Sequence, residues 1–466
     1  MDTSIVAADV AGRMPALIDD LKQLVAIPSV AFPGFPAEPV ERMGAAVVDL
    51  FRRSGASDAR LLDIPGGYPA VYAEIPGPAG SPTVLLYAHY DVQPAPLDQG
   101  WDTDPWKATT GADGRIYGRG TADDKSGLIV HAGTLQVLGS TPPVGIKLLI
   151  EGEEETVSHL EDFVDANRSL FDCDAFVIAD MGNLAVGRPA LTTALRGEVS
   201  CTVRVRTLRH AAHSGVFGGA APDALVALIK ILATLHDDQG NTVVPGVSGY
   251  DWPGADFDES VYRDSAAVLD GVELYGSGSL ASRLWSKPSA TVIGIDAPSV
   301  DQASNVLIPE ATAKVSMRIA PGADADRELD LLATHLESAA PWNVHLEVTK
   351  IKAGWPYTVA MTGPTLKAAE DALAAAFGAP VEAVGSGGSI PLINSLAQAS
   401  PRAEVILWGA EDMALSRIHA SNESVDPREI EKMITAQVLA LHHLGERSST
   451  DRISVQVPDA FRTPRR

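Results

Sequence analysis

The sequence predicts a mixed α/β protein. A mainly parallel sheet, covered by helices on both faces, is interrupted by a ferredoxin-like α+β unit. Three observations carry this reading. Apolar runs at 84–88, 144–150 and 175–179 lack polar alternation, as strands buried on both faces do. Helical patterns stand between those runs, the order expected of a parallel sheet. Near Leu191 the style changes, and Val199, Cys201, Val203 and Val205 alternate with Ser200, Thr202, Arg204 and Arg206, which gives one buried and one exposed face.

Bulk properties narrow the possibilities. A chain of 466 residues is too long for one core, so two or three domains are expected. Its formal net charge of −24 counts against nucleic acid or an anionic membrane as partner. With only Cys173 and Cys201, a disulfide framework is excluded and a reducing cytoplasm fits. The opening residues lack a basic flank followed by an apolar core, so they read as no signal peptide. No apolar run approaches the span of a bilayer.

Taken in order, residues 4–26 read as an amphipathic helix closed by Ile27-Pro28, and about 38–54 as a second. Strands follow at 70–75 and 83–89, the latter ending on His89 with Asp91 two residues on. A loop rich in Trp, Pro and Asp leads to Gly118-Arg119-Gly120 and Asp123-Asp124-Lys125, at the start of a helix over 124–138. The strand 144–150 runs into Glu151-Gly152-Glu153-Glu154-Glu155, and the strand 175–179 ends on Asp180. Open α/β sheets keep their chemistry at such strand ends. One acidic residue there is ordinarily solvated, and 151–155 taken alone is an acidic surface run. Metal-capable residues at three strand ends are harder to dismiss.

The interrupting unit has the order β-α-β-β-α-β of a ferredoxin-like fold. Its strands are 199–206, 290–295, 313–320 and 344–348. Its helices are 222–236, with Leu225, Leu228, Ile229 and Leu232 on one stripe, and 324–338. Residues 238–288, rich in Gly, Asp, Trp and Ser, read as an insertion within it. From about 355 the first style returns, with a helix at 364–377, a Gly-rich loop at 385–389, a strand at 404–409 and a loop carrying His419. The last helix opens on Asp426-Pro427-Arg428-Glu429, an N-cap, a first-turn proline and a capping-box glutamate, and stops at Gly445. The expected domains are thus 1–190 with 355–445, interrupted by 191–354, and a tail at 446–466.

His89, Asp123, Glu155, Asp180 and His419 offer nitrogen and oxygen without thiolate, a set suited to Zn²⁺, Mn²⁺ or Co²⁺. Five are too many for one tetrahedral ion with an open position, but they suffice for two ions sharing a bridging carboxylate. Such a pair can activate a bridging water and polarise the carbonyl it attacks. Asp91 is placed to orient His89, and Glu154 to deprotonate the water.

The segments HYDVQP, WDTDPW, YGRGTADDK, EGEEETVS, VIAD, HSGVFGG, GGSIP and IHASNE occur in that order. In this the chain resembles the carnosinase and aminoacylase type of di-zinc metallopeptidases, and especially their cytosolic dipeptidase branch, from about residue 10 to 445. The resemblance implies a zinc-binding α/β catalytic domain with an inserted lid used for dimerisation. By the same resemblance His89, Asp123 and Asp180 hold one zinc, and Asp123 bridges to a second held by Glu155 and His419. Glu154 is then the general base and Asp91 the orienting carboxylate. Aspartate at 180, rather than glutamate, looks like the dipeptidase and aminopeptidase members. His213 matches a lid histidine that reaches into the partner subunit's site. Asn305, Arg318, Gly388 and Ser389 match positions that grip the substrate carboxylate or the oxyanion. Val157, Ser126 and Ala211 depart from the family pattern without touching a ligand.

Several other readings are weaker. In GRGTAD a carboxylate, Asp123, replaces the third glycine of a dinucleotide fingerprint and would repel pyrophosphate. HAAH at 210–213 is not HExxH, and His442 and His443 on the final helix are read as non-ligands. The expected reaction is hydrolysis of a dipeptide or short peptide by a metal-bridging hydroxide, with a small peptide as substrate and a homodimer as the assembly. The rivals are an N-acyl-amino-acid amidohydrolase and a catalytically silent metal-binding scaffold.

Overall fold

In the computed structural model, which describes residues 1–360, 362–388 and 390–446, the long apolar strands form a six-stranded sheet. Strand Thr83–His89 lies at its middle, parallel to Gly145–Glu151 on one side and to Ala175–Ile178 on the other. Glu404–Leu407 extends the parallel part beyond Ala175–Ile178. Ala70–Ile75 and Arg60–Leu62 add an antiparallel edge. Val84 to Ala88 are wholly buried, which is why this run carries no polar alternation.

Helices Thr3–Val25, Lys125–Leu138 and Pro427–Gly445 pack on one another and contribute to the same core as the sheet. The final helix starts as expected, with Asp426 accepting from Arg428 N. No helix among the described residues is long and apolar enough to cross a membrane.

The interrupting unit is a four-stranded antiparallel sheet with its own core of Val199, Cys201, Val203, Val205, Leu228, Val315 and neighbours. Its strands are Ser289–Asp296, Glu310–Ile319, Gly197–Arg206 and His345–Gly354, in that spatial order. The chain enters this unit from a smaller, three-stranded sheet at one residue and returns to that sheet through Trp355 and Pro356. Ala190–Leu195 pairs with Glu382–Ser386 and Tyr357–Thr358, and the lid strand begins at Gly197, so Arg196 is the joint.

Three local readings change. The lid helix spans Ala224–Ala233 behind an Asp223 N-cap. Its buried stripe is Ala224, Ala227, Leu228 and Ile231, while Val226 and Ile229 face outward. A helix reading ALVALIKILA is apolar all round, so its periodicity could not choose a face. The strand expected at 344–348 runs to Gly354. The expected loop at 385–389 begins as strand, since Gly385 and Ser386 pair with Ala194 and Leu195. A Cβ on Gly385 would stand 2.6 Å from Cβ of Trp285, so this glycine serves close packing rather than a turn. Ser389 and residues 447–466 of the expected tail lie outside the described residues.

The stretch 238–288 contains a short α-helix, Glu259–Ser265, a π-helical turn, Ser282–Ser286, and an aromatic cluster. Trp285 lies 5.3 Å from Trp252 and 4.9 Å from Phe257, ring centre to ring centre. Leu184, Ala190 and Val384 share that cluster, so the stretch packs against the first domain's smaller sheet as well as belonging to the lid.

Candidate metal centre

Strand ends and one loop converge on five side chains. His89 closes its strand and is fully buried. Its Nε2 lies 3.0 Å from Asp123 Oδ1 and 3.6 Å from Asp180 Oδ1. The other oxygen of Asp123 is 3.0 Å from His419 Nε2, which is 3.1 Å from Glu155 Oε2. Two groups result, His89–Asp123–Asp180 and Asp123–Glu155–His419, with donor atoms in each within 4.8 Å of one another. Asp123 belongs to both.

The backbone around these groups is held by carboxylates. Asp91 accepts from the N–H groups of Glu154 and Glu155, each at 3.0 Å, so it fixes the acidic pair. His89 Nδ1 is 3.1 Å from the backbone carbonyl of Asp91 and 3.4 Å from its carboxylate. Glu423 accepts from the N–H groups of Gly120, Ala122 and Asp123, and from Arg119 Nη1 at 2.6 Å. Asp124 receives the His89 N–H at 3.1 Å and caps the following helix. Gln93 donates to Glu155 at 2.7 Å.

His419 sits in a left-handed conformation with φ 63°, between Arg417 at 51° and Asn422 at 60°. For a residue with a Cβ that costs on the order of 1 kcal/mol or more, so neighbouring contacts must hold it. Asn422 supplies some of them, exchanging hydrogen bonds at 2.9 Å with Asp102 N and the Asp102 carboxylate.

The cluster is short of positive charge. Burial works against a charged His89, but Asp180, Asp123 and Asp91 outweigh it and push its pKa well above the histidine range. Burial also opposes charge on His419, yet Asp123 and Glu155 raise it to about 11. Burial, with Asp123, pushes Glu155 up to about 6. Burial, with Asp180 and Glu155 nearby, holds Glu154 well above its usual range despite His89. Protons drawn onto both imidazoles stand where cations would satisfy the same carboxylates. The donor set therefore fits two divalent ions: three carboxylates and two imidazoles, no thiolate, and one carboxylate with an oxygen for each group.

Residues 85–443 match Peptidase family M20/M25/M40. The chain belongs to this family. A cysteinylglycine-S-conjugate dipeptidase of Corynebacterium striatum is 40% identical over 375 residues, covering 78% of this chain and 82% of that one. A Beta-Ala-His dipeptidase of Rattus norvegicus is 28% identical over 440 residues, covering 88% of this chain and 89% of the other. The crystal structure of human carnosine dipeptidase 1 superposes with a TM-score of 0.80 at 25% identity, covering 96% of this chain and 99% of that one. As an M20 peptidase, the protein combines a catalytic domain with an inserted lid domain.

Of the other expected site residues, His213, Asn305, Arg318 and Gly388 make no hydrogen bond or ion pair with the five donors among the described residues. His213 is exposed on the lid, where its Nδ1 accepts from Gly215 N at 3.1 Å. Asn305 is beside it: its carbonyl accepts from Ser214 N, and Val306 pairs with His213. Arg318 is half-buried on a lid strand between Glu198 and Ser289, without an ion pair among the described residues. Gly388 is exposed, and its N–H donates to Ser386 Oγ at 3.1 Å. Ser126, one of the departures, is buried and donates to the Ala122 carbonyl. Val157 is solvent-exposed.

Four supporting residues went unread in the sequence: Gln93, Asp124, Arg119 and Glu423. Each stands inside a motif already singled out, HYDVQP, YGRGTADDK or IHASNE. What the sequence lacks is the pairing between segments, 35 positions apart for Asp124 with His89, 62 for Gln93 with Glu155 and 304 for Arg119 with Glu423.

Proposed function

We propose that this M20 peptidase is a metal-dependent dipeptidase holding two Zn²⁺ ions, one on His89, Asp123 and Asp180 and the other on Asp123, Glu155 and His419. The single observation behind this is the sharing of Asp123 between two ligand triads, with the Glu154 carboxyl beside them and free of hydrogen bonds among the described residues. When bound, the two cations lower the pKa of a water and polarise the scissile carbonyl.

The chain's own groups do the remaining work. Glu154 takes the proton of the attacking water and returns it to the leaving amine. Burial raises the proton affinity of this carboxylate, as suits the group that takes the water's proton. Asp91 orients His89 and fixes the Glu154 backbone. Arg318, Gly388 and Ser389 grip the substrate carboxylate, where a planar guanidinium makes two parallel hydrogen bonds. His213, with Asn305 alongside, serves the site of a partner subunit and donates to the oxyanion.

The homodimer belongs to this reading. Its support is the lid surface, where Val292, Ile293 and Ile295 on the edge strand and Val226 and Ile229 on the helix are exposed. The domain limits of this reading are 1–190 with 355–445 around a lid at 191–354, and the pairing of Ala190–Leu195 with Glu382–Ser386 supports a first joint at Arg196. A cytoplasmic location fits the unpaired thiols of Cys173 and Cys201.

The test is a panel of dipeptides and N-acetyl amino acids, assayed on protein stripped by chelator and reloaded with Zn²⁺, Mn²⁺ or Co²⁺. Dipeptides should be cleaved, activity should vanish on stripping, and reloading should restore it. Preference for N-acetyl amino acids would make the enzyme a deacylase, and chelator-resistant turnover would end the metal mechanism.

A further inference from the structure

Next to the glycine-rich loop lies a cavity of about 180 Å³ whose wall carries three cationic side chains, Arg196, Arg283 and Lys287, and no carboxylate among the described residues. Tyr262, Tyr275 and Asn241 add polar groups to the same wall. In a chain with a net charge of −24, this reverses the prevailing sign. A water occupies about 30 Å³ of liquid, so the space admits a tetrahedral oxyanion with a few waters.

Arg196 is the anchor of the argument. It is only 8% exposed, and its Nε has no hydrogen-bond partner among the described residues. Its Nη1 reaches the carbonyls of Arg283 and Lys287 only at 3.4 and 3.5 Å. A buried guanidinium with an idle donor bears its desolvation cost without return. Burial and the nearby Arg318 hold its pKa down to about 10, so the charge lacks a counter-ion. Arg283 is tied by Nη1 to the Tyr275 carbonyl at 3.1 Å, which leaves Nη2 without a hydrogen bond among the described residues. Lys287 is held by the Ser277 carbonyl and by the exposed Asp251, at 3.1 and 3.0 Å.

The cavity is coupled to the loop by short contacts. Arg196 N donates to the Ser386 carbonyl at 3.1 Å, and its Nη2 would lie 3.0 Å from a Cβ on Gly387. Trp285 packs against Gly385 from the same segment that supplies Arg283 and Lys287.

We infer that this cavity binds a small oxyanion, held by Arg196, Arg283 and Lys287, and that its occupation sets the pose of the glycine-rich loop. The loop's relevance to substrate rests on the dipeptidase reading, whereas the binding site does not. The oxyanion has two sources: the substrate's own carboxylate, which Arg196 would then share with the neighbouring Arg318, or free inorganic phosphate.

Calorimetric titration of inorganic phosphate into the zinc-loaded enzyme should give saturable binding, weakened at least tenfold by Arg283→Gln. Phosphate on the metal cluster would give a heat that this substitution leaves unchanged, and that result overturns the site. Should Arg283→Gln fail to fold, Lys287→Gln, at the solvent side of the wall, carries the same readout. The kinetic arm compares a dipeptide with its C-terminal amide. If the cavity takes the substrate carboxylate, phosphate competes with the dipeptide and the acid-to-amide ratio of kcat/KM falls at least tenfold in the variant. If it takes free phosphate, that ratio stays constant and phosphate alters kcat without competing. No saturable heat together with an unchanged ratio overturns the proposal. Failure of the wild-type enzyme to cleave any dipeptide sinks the dipeptidase reading instead, and leaves the phosphate titration standing.

Discussion

At the scale of single residues, the proposed site separates groups assigned to metal from groups assigned to proton transfer or to geometry. Glu154→Gln keeps the shape of the side chain and leaves all five donors in place. It should lower kcat by about 10²–10⁴, the range general acid–base catalysis supplies, with metal content by atomic emission unchanged. Loss of metal together with activity would reassign Glu154 as a ligand. Glu423→Gln tests a different function. It removes the charge facing buried Arg119 and weakens acceptance from the Asp123 N–H. Breaking a buried pair of this kind costs about 3–5 kcal/mol, so urea unfolding should show that loss. Metal affinity should also fall roughly 10–100-fold in a competition titration, as when an outer partner of a ligand is removed.

At the scale of elements, the helix Lys125–Leu138 is clamped through His131. Its Nε2–H donates to the Tyr87 carbonyl at 2.9 Å, and its Nδ1 accepts from Gln437 Nε2 at 3.0 Å. Burial, against those two hydrogen bonds, lowers the His131 pKa from 6.5 to about 4. The folded state therefore resists a proton that the unfolded chain accepts first. Stability from this residue is complete above about pH 6.5, declines as pH falls towards 4, and is level below that. Between pH 7 and pH 5 the loss should be roughly 2 kcal/mol, and His131→Gln should abolish that part of the pH dependence in denaturant titrations. An equal slope in both proteins would show that other groups carry the acid sensitivity. The same scale marks where pattern reading works. Strand Thr83–His89 was legible because full burial on both faces leaves a pure apolar run. The lid helix was legible as a helix but not in its orientation, since residues on every side of it are apolar. The short strands Arg60–Leu62 and Tyr357–Thr358 carry too few residues to show any period.

At the scale of the whole molecule, the five donors lie within one chain, whereas His213 is exposed on the lid and outside the cluster. If the lid histidine serves a partner, a preparation of His213→Ala and one of Glu154→Gln should each be nearly inactive alone. Mixed after dissociation and reassociation, they should regain up to about a quarter of wild-type activity, the share expected when half of the dimers are mixed and each has one intact site. No recovery on mixing, with hybrid dimers verified by mass, would confine His213 to its own subunit.

By itself the sequence determined the class of fold, the interruption of one domain by another, and the five candidate donors that the structure brings together. Burial writes its own periodicity, and nitrogen and oxygen ligands at strand ends are a chemical statement independent of distance. Only the tertiary structure decided which oxygen of Asp123 faces which imidazole, that Glu423 holds the 120–123 backbone from three hundred residues away, and that Arg196 stands buried at the joint with an idle donor. Those facts depend on how segments remote in the chain meet in space, and a one-dimensional pattern has no term for that.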